Sequence, residues 1–425
     1  MEHYKVDLNV NRQSEDHSIM GKVHDYHELV AKHEALELNL LLKSPIVSSS
    51  AKEVIMRERH TGENIKSLMF GSNNYLGVIT NPDVINKTID AIKEYGVGSG
   101  GVPILSGTSY YHEELEKTLS TLTGFEDTML FSSGFTANLG VILGLIRPQN
   151  LIIQDRLNHA SLLDGALMSG ARMMRYKHND PSSLEKKIAE NYEQYKGGIL
   201  VVTDGVFSMD GDIANIPALL EICERYGAIL LIDEAHATGV IGEKGSGTLS
   251  YHNITKRDNI IVTGTLSKAL GTIGGYISAN KEIIDYLRIY ARSNLYSTSL
   301  PPSVCASAIE AIHYMQTTNV VETLQSNADY MRTRLRENGY NIMNTTTAVI
   351  PIIIGDEYKL TMMSRDLLEN GIFISCIFPP AVPPKTARLR INMSALLTKE
   401  DIDYFVDIIN KIFDRYELKR YIPTR

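Results

Sequence analysis

In the stretch IIVTGTLSKALGTIGGY (260–276), a lysine, Lys268, stands between an apolar β-like run and a cluster of glycines. An amine so placed can clamp a phosphate, serve as a buried structural cation, or act as a nucleophile. A second reactive group follows the apolar run AILLI (228–232): the segment DEAH (233–236) puts Asp233 at a strand end and His236 three residues on. A carboxylate there costs several kcal/mol in desolvation unless a cation pairs with it. After TMLF (128–131), the small residues of SSGFTANLG (132–140) open a helix, and the N–H groups of Gly134 and Phe135 can form an anion site there. An ordinary strand–helix turn has the same letters. After LIIQD comes RLNHASLLDG with His159, an aromatic plate or a proton carrier, and after ILVVTDG comes VFSMDGD with the small donor Ser208. Thr265 and Ser267 flank Lys268 with hydroxyls.

These pieces ask for one ligand with a phosphate for the Gly134/Phe135 turn and Thr265, a cation for Asp233, and an electrophilic carbon for Lys268. Pyridoxal 5′-phosphate has all three: a phosphate, a ring nitrogen that pairs with a carboxylate when protonated, and an aldehyde that forms a Schiff base with a lysine. A rival reading gathers Asp155, His159, Asp233 and His236 around zinc or manganese; it leaves Lys268 and the phosphate turn without a role. The letters DEAH suggest a helicase box, but the chain contains no G-x-x-x-x-G-K-[ST] loop, which rules against a P-loop ATPase.

The elements that must position these residues follow from the hydrophobic pattern. From about residue 65, short continuous apolar runs (TMLF, LII, ILVV, AILLI, NIIV) alternate with helical patterns such as NIPALLEICERYG (215–227). Strands buried on both faces, separated by amphipathic helices, predict an α/β fold: a mostly parallel, doubly wound sheet, with ligands beyond the carboxyl ends of its strands. After residue 303 a long helix leads into strand-like AVIPIII (348–354), IFISCI (372–377) and ARLRINM (387–393), then a final helix (399–416), a smaller α+β domain. The predicted organisation is an N-terminal arm over 1–64, with a helical stretch at 25–42, a large domain over 65–303 and a small one over 304–425.

Nine segments in order, including FGSNNYLG (70–77), GSGGVPILSGT (98–108), FSSGFTANLG (131–140), DEAHATGVIG (233–242), TGTLSKALG (263–271), YSTSLPP (296–302) and ARLRINMSA (387–395), resemble the α-oxoamine synthases among the fold-type I pyridoxal-phosphate enzymes. That family includes 8-amino-7-oxononanoate synthase, 2-amino-3-ketobutyrate CoA ligase, 5-aminolevulinate synthase and serine palmitoyltransferase. The resemblance implies Lys268 as covalent anchor and proton-transfer base, Asp233 on the pyridinium, His236 on the ring hydroxyl and His159 stacked on the ring. It implies Ser133, Gly134, Phe135 and Thr265 on the phosphate, joined by Ser297 and Thr298 from a neighbouring subunit. Ser208 would lie beside the cofactor, and Asn73 and Arg390 would grip the substrate carboxylate, Arg390 with its bidentate fork. A solvated charge on an edge strand is the plain alternative for Arg390. The implied reaction condenses an amino acid with an acyl thioester, on CoA or a carrier protein, with loss of CO₂; an aminotransferase or carbon–carbon lyase on the same fold and a non-catalytic partner subunit are the alternatives.

Two departures bear on the donor. Many relatives carry an arginine after GG[ST], where this chain reads GGVP with Val102 and Pro103, and SAAHT reads SALLT, with Leu397 in place of histidine. Both changes are apolar, so a lipid-like or carrier-borne acyl donor is expected. Bulk composition excludes other classes. The chain has 425 residues, a formal net charge of −8 and no dense basic block, which argues against nucleic acid or anionic membrane. No apolar run approaches a membrane span. Cys223, Cys305 and Cys376 have neither metal nor disulfide spacing, so a reducing cytoplasm is expected.

Overall fold

The computed structural model describes residues 18–35, 45–58 and 61–420. They divide into two compact units, one of residues 73–208 and 212–325, the other of residues up to 72, 209–211 and 326–425. The division departs from the sequence-based boundaries at three places, one of them the assignment of 209–211 to the smaller unit. Residues 45–72 belong with the C-terminal part, because strand Glu53–Arg57 pairs with Asn64–Met69, and the latter with Ile372–Phe373. Helix Pro302–Thr317 belongs to the larger unit: its buried small residues Cys305, Ala306, Ala308 and Ala311 let it lie close against helices Pro82–Tyr95 and Tyr110–Thr123. Of the stretch predicted helical at 25–42, residues 25–35 fall in helix Ile19–Ala35, and the remainder lies outside the described residues.

The larger unit is built on a seven-stranded sheet: β1 (Asp127–Phe131), β2 (Leu151–Asp155), β3 (Arg172–Tyr176), β4 (Ile199–Asp204), β5 (Ile229–Asp233), β6 (Ile260–Thr265) and β7 (Gly275–Ala279). Their spatial order is β1-β7-β6-β5-β4-β2-β3. The pairs β3/β2, β2/β4, β4/β5 and β5/β6 are parallel, whereas β7 runs antiparallel to both β1 and β6. The continuous apolar runs are the cause, because a parallel strand covered on both faces has no polar side. Val202, Leu231 and Ile261 join helix residues Val141, Ile142 and Leu162 in one core, while Val201, Leu230 and Ile232 are buried on the opposite face. Each such side chain contributes about 1.5–3 kcal/mol by leaving water, so Leu231→Ala would cost about 2–5 kcal/mol. Strands β3 and β7 escaped the sequence reading: β3 is an edge strand with a polar, half-exposed pattern, and GYISA is short and follows the glycines.

Helices α1 (Gly134–Leu145), α2 (Ala160–Met168) and α3 (Ile216–Tyr226) connect these strands. The last shows how local sequence sets the bounds: the Asn215 side chain caps Ala218 N–H, Pro217 occupies the first turn, and Gly227 closes the helix at φ +61°.

The smaller unit carries an antiparallel sheet in the order 349–355, 387–392, 375–377. Pro351 is tolerated because its strand is at the edge. Arg390 lies on the central strand, opposite Pro351 and Ser375, and is half-buried, which removes the edge-strand reading of this residue. Two positions earlier, Arg388 is fully buried and pairs with Asp210 and the Met209 carbonyl of the same unit, a structural ion pair.

Candidate active site

The carboxyl ends of β4, β5 and β6 and the start of α1 enclose a cavity of about 230 Å³ in the larger unit. Nine residues singled out in the sequence line it: Ser133, Gly134 and Phe135 at the helix start, His159 before α2, Asp233 at the end of β5 with His236 beyond it, and Thr265 at the end of β6 with Ser267 and Lys268 beyond it. Parallel strands bring these together because each apolar run ends at the same edge of the sheet and hands its next residues to the same space.

Ser133 caps α1 reciprocally with Thr136: Ser133 Oγ accepts from Thr136 N–H at 3.1 Å and Thr136 Oγ1 accepts from Ser133 N–H at 3.0 Å. Such a cap is worth about 1 kcal/mol. It also consumes the Thr136 amide while Ala137 N–H bonds to the Ser133 carbonyl. The amides of Gly134 and Phe135 line the cavity with no acceptor among the described residues, the donor pair that an anion needs. The approach requires Gly275, since a Cβ there would collide with the Ser133 carbonyl. Beside it, Thr265 Oγ1 donates to the Gly274 carbonyl at 3.0 Å and lies 2.7 Å from Ser267 Oγ.

Asp233 is buried at 6% exposure. Its Oδ1 accepts from Ala235 N–H at 2.8 Å and its Oδ2 from Asn138 Nδ2 at 2.7 Å. These bonds offset part of the cost of burying a carboxylate. The His159 imidazole is neutral in character: burial lowers its pKa, the nearby Asp233 opposes that, and Lys268 adds to it. His236 Nδ1 is 2.7 Å from the hydroxyl of fully buried Tyr75. Lys268 is half-buried in the turn after β6, its carbonyl accepting from Gly271 N–H at 3.0 Å. Asp204 also lines the cavity and sits in register with Asp233 on the adjacent strand; burial first, and Asp233 second, push its pKa well above the usual carboxylate range.

The donor set therefore fits pyridoxal phosphate: a half-buried amine, a buried carboxylate held by neutral donors, an open pair of helix-start amides and a neutral imidazole. The metal alternative is not assembled, because Asp155, His159, Asp233 and His236 do not bring their ligand atoms together among the described residues. Asp155 is engaged instead by His178 at 3.0 Å and the Asn179 N–H at 2.7 Å.

Other expected residues lie elsewhere. Ser297 and Thr298 line a separate cavity of about 270 Å³, which also holds the Glu116–Arg288 ion pair. Ser208 is half-buried two residues beyond Val206, which lines the Lys268 cavity, and Asn73 is half-buried at the start of the larger unit. Sequence reasoning missed Asn138, Ser161, Tyr75 and Asp204. Asn138 was within reach, four residues after Gly134 on the same helix face. Ser161 and Tyr75 stand inside the quoted motifs, two residues after His159 and Asn73.

This chain belongs to the aminotransferase class I and II family, whose model matches residues 65–409. It is 40% identical over 401 residues to 8-amino-7-oxononanoate synthase of Alkaliphilus metalliredigens, covering 94% of this chain and 100% of the relative. It is 39% identical over 382 residues to 8-amino-7-oxononanoate synthase 1 of Bacillus subtilis, covering 85% and 96%. The structure of Sphingomonas wittichii serine palmitoyltransferase superposes with a TM-score of 0.86 at 30% identity, covering 93% of this chain and 98% of that one. Within the class I and II family the chain is an α-oxoamine synthase, a pyridoxal-phosphate-dependent C-acyltransferase of fold type I. No described helix is long and apolar enough to cross a membrane.

Proposed function

We propose that this protein joins the α-carbon of a small amino acid to the acyl carbon of a thioester with loss of CO₂, in the manner of 8-amino-7-oxononanoate synthase. The observation that carries this reading is the convergence of Lys268, Asp233, His159 and the α1 amides on one cavity, in a chain so close over its length to synthases of that name. The named product divides at its new carbon–carbon bond. Carbons 8 and 9 with the amine are alanine less its carboxylate, and carbons 1–7 are a seven-carbon acyl group ending in a second carboxylate.

Pyridoxal phosphate supplies an aldehyde for amines and a cationic ring that takes up electron density from the amino acid's α-carbon. The remaining work falls to side chains. Lys268 Nζ would hold the cofactor by its aldehyde carbon and, as a free amine, would carry the amino acid's α-proton. Asp233 keeps the ring nitrogen protonated, and neutral His159 covers the ring face without adding a charge. Gly134 and Phe135 amides, with Ser133 and Thr265 hydroxyls, would bind the phosphate, and His236 would serve the ring hydroxyl. By the family resemblance, Ser208 would lie beside the ring, and Asn73 and Arg390 would take the amino acid's carboxylate. We assign Ser297 and Thr298 to the phosphate of a second copy, in a homodimer with shared sites; lining a different cavity from Lys268 in their own chain is in keeping with this role. A reducing cytoplasm suits the three free thiols.

A second reading, a long-chain or carrier-borne donor, is favoured by one feature. The turn after Val102–Pro103 exposes Ile104 and Leu105, whereas Leu397 is packed in the core of the smaller unit and adds nothing to it. Thiol and CO₂ release measured across a panel of amino acids and thioesters decides between them. Alanine with a seven-carbon ω-carboxyacyl thioester should give the highest kcat/KM; a preference for serine with a long-chain donor replaces the first reading with the second, and an oxo-acid product without thiol release defeats both.

A further inference from the structure

Asn138 has no part in the chemistry described so far, yet it is buried at 2% exposure on α1 with every polar atom engaged. One of its amide hydrogens goes to Asp233 Oδ2 at 2.7 Å and the other to Ser161 Oγ at 2.8 Å, while its Oδ1 accepts from Thr263 Oγ1 at 2.6 Å. The amide can stand only this way round, because an ionised carboxylate accepts and never donates, so the atom facing Asp233 must be nitrogen.

The bonds beyond it follow by the same accounting. Ser161 Oγ accepts from Asn138, so its own proton is free for its other neighbour, His159 Nδ1, at 2.8 Å. Ser161 N–H also points at Nδ1, at 3.3 Å. A ring nitrogen facing two donors must be the acceptor, which leaves the imidazole proton on Nε2. Burial, which holds the His159 pKa below its ordinary value, agrees with a neutral ring.

We propose that Asn138 is a positioning residue of the cofactor site: its single amide nitrogen fixes the Asp233 carboxylate and, through Ser161, holds His159 as the Nε2–H tautomer, so that the two groups flanking the ring are set together. The inference rests on pyridoxal phosphate being the occupant of this cavity, but the hydrogen-bond relay exists without it.

Two measurements separate those claims. In the chain free of cofactor, two-bond proton–nitrogen correlation of ¹⁵N-histidine-labelled protein should report His159 protonated at Nε2. Ser161→Ala and Asn138→Leu should each yield a mixture of tautomers or the Nδ1–H form. Titration with pyridoxal phosphate should then show the dissociation constant rising about 10- to 100-fold in Asn138→Leu, the range found when a residue orienting a ligating group is removed. The pH midpoint of the bound cofactor's visible band should move by about one unit, a change that mere loosening of the helix would not produce. Thr263→Val, which removes only the donor to Asn138 Oδ1, should have a smaller effect of the same sign. Wild-type protein with His159 protonated at Nδ1 overturns the proposal even if Asn138→Leu does not fold. So does an Asn138→Leu protein that matches wild type in tautomer, dissociation constant and midpoint. Failure of wild-type protein to bind the cofactor at all would sink the reading of the cavity while leaving the tautomer result standing.

Discussion

The larger unit holds two clusters made of the same residue types, and they behave in opposite ways. In the first, Asp233 and His159 are kept apart by Asn138 and Ser161, and the imidazole pKa is lowered. In the second, His178 touches both of its carboxylates, Nδ1 at 3.0 Å from Asp155 and Nε2 at 3.1 Å from Asp212, with its ring edge-on to Phe207 at 4.4 Å between centroids. Burial opposes charge there too, but the bonds to Asp155 and Asp212 prevail and push the His178 pKa up to about 10. Direct contact makes a closed ion triad in which the carboxylates have their cation. Interposing neutral donors leaves a carboxylate with capacity for an outside cation and an imidazole without charge. The spacing of the groups, not their identity, separates a strut from a binding site.

The largest expected effect is at the amine of the first cluster: Lys268→Ala should lower turnover roughly 10,000-fold while leaving the thermal midpoint within a degree or two of wild type. A variant that unfolds would mean Lys268 is a structural cation. Next, Asp233→Asn keeps the shape and removes the charge; turnover should fall roughly 100- to 1,000-fold with a weaker hold on the cofactor, and unchanged steady-state rates would count against the ring-nitrogen role.

The converse experiment is Asp155→Asn. Its carboxylate is fully buried against a charged imidazole, and removing one partner of such a pair costs about 3–5 kcal/mol. Denaturant unfolding should show that loss with a cofactor dissociation constant close to wild type. A parallel loss of affinity would show the two clusters to be coupled.

The smallest effect is in pH dependence. His178 has its folded pKa raised, so its contribution is complete below its ordinary value of 6.5 and disappears as pH rises through about 10. Glu234 is next to Asp233 but buried against Thr248, whose N–H it accepts at 2.9 Å; burial, partly offset by those bonds, raises its pKa to about 7. Its contribution is likewise complete below 4.5 and lost as pH rises through about 7. Glu234→Gln should flatten the dependence of unfolding free energy between those values and leave the alkaline limb to His178. Equal slopes in wild type and variant would refute the assignment.

Much of this candidate site is legible in the sequence. A carboxylate directly after ILLI, an amine after IIVTGT and small residues before a helix each declare themselves by their position against an apolar run, because parallel strands end together. The relay escaped notice for a reason as simple: Asn138, Ser161 and Thr263 are ordinary polar residues whose meaning depends on distances between segments far apart in the chain. His178 was passed over because its partners lie on segments 23 and 34 residues away. Arg388 and Arg390 look alike in ARLRINM, and only the structure shows that Arg388 is the one fully buried against Asp210.

What the sequence determined by itself is the order and chemistry of the strand ends: hydrophobic periodicity decides which segments are buried, and whatever polar residue follows is delivered to the rim of the sheet. What only the tertiary structure decided is protonation and orientation, namely which imidazole is charged, which carboxylate is raised and which way the Asn138 amide faces. Those depend on electrostatic and hydrogen-bond energies that change over an ångström, a scale on which residue spacing along a chain carries no information.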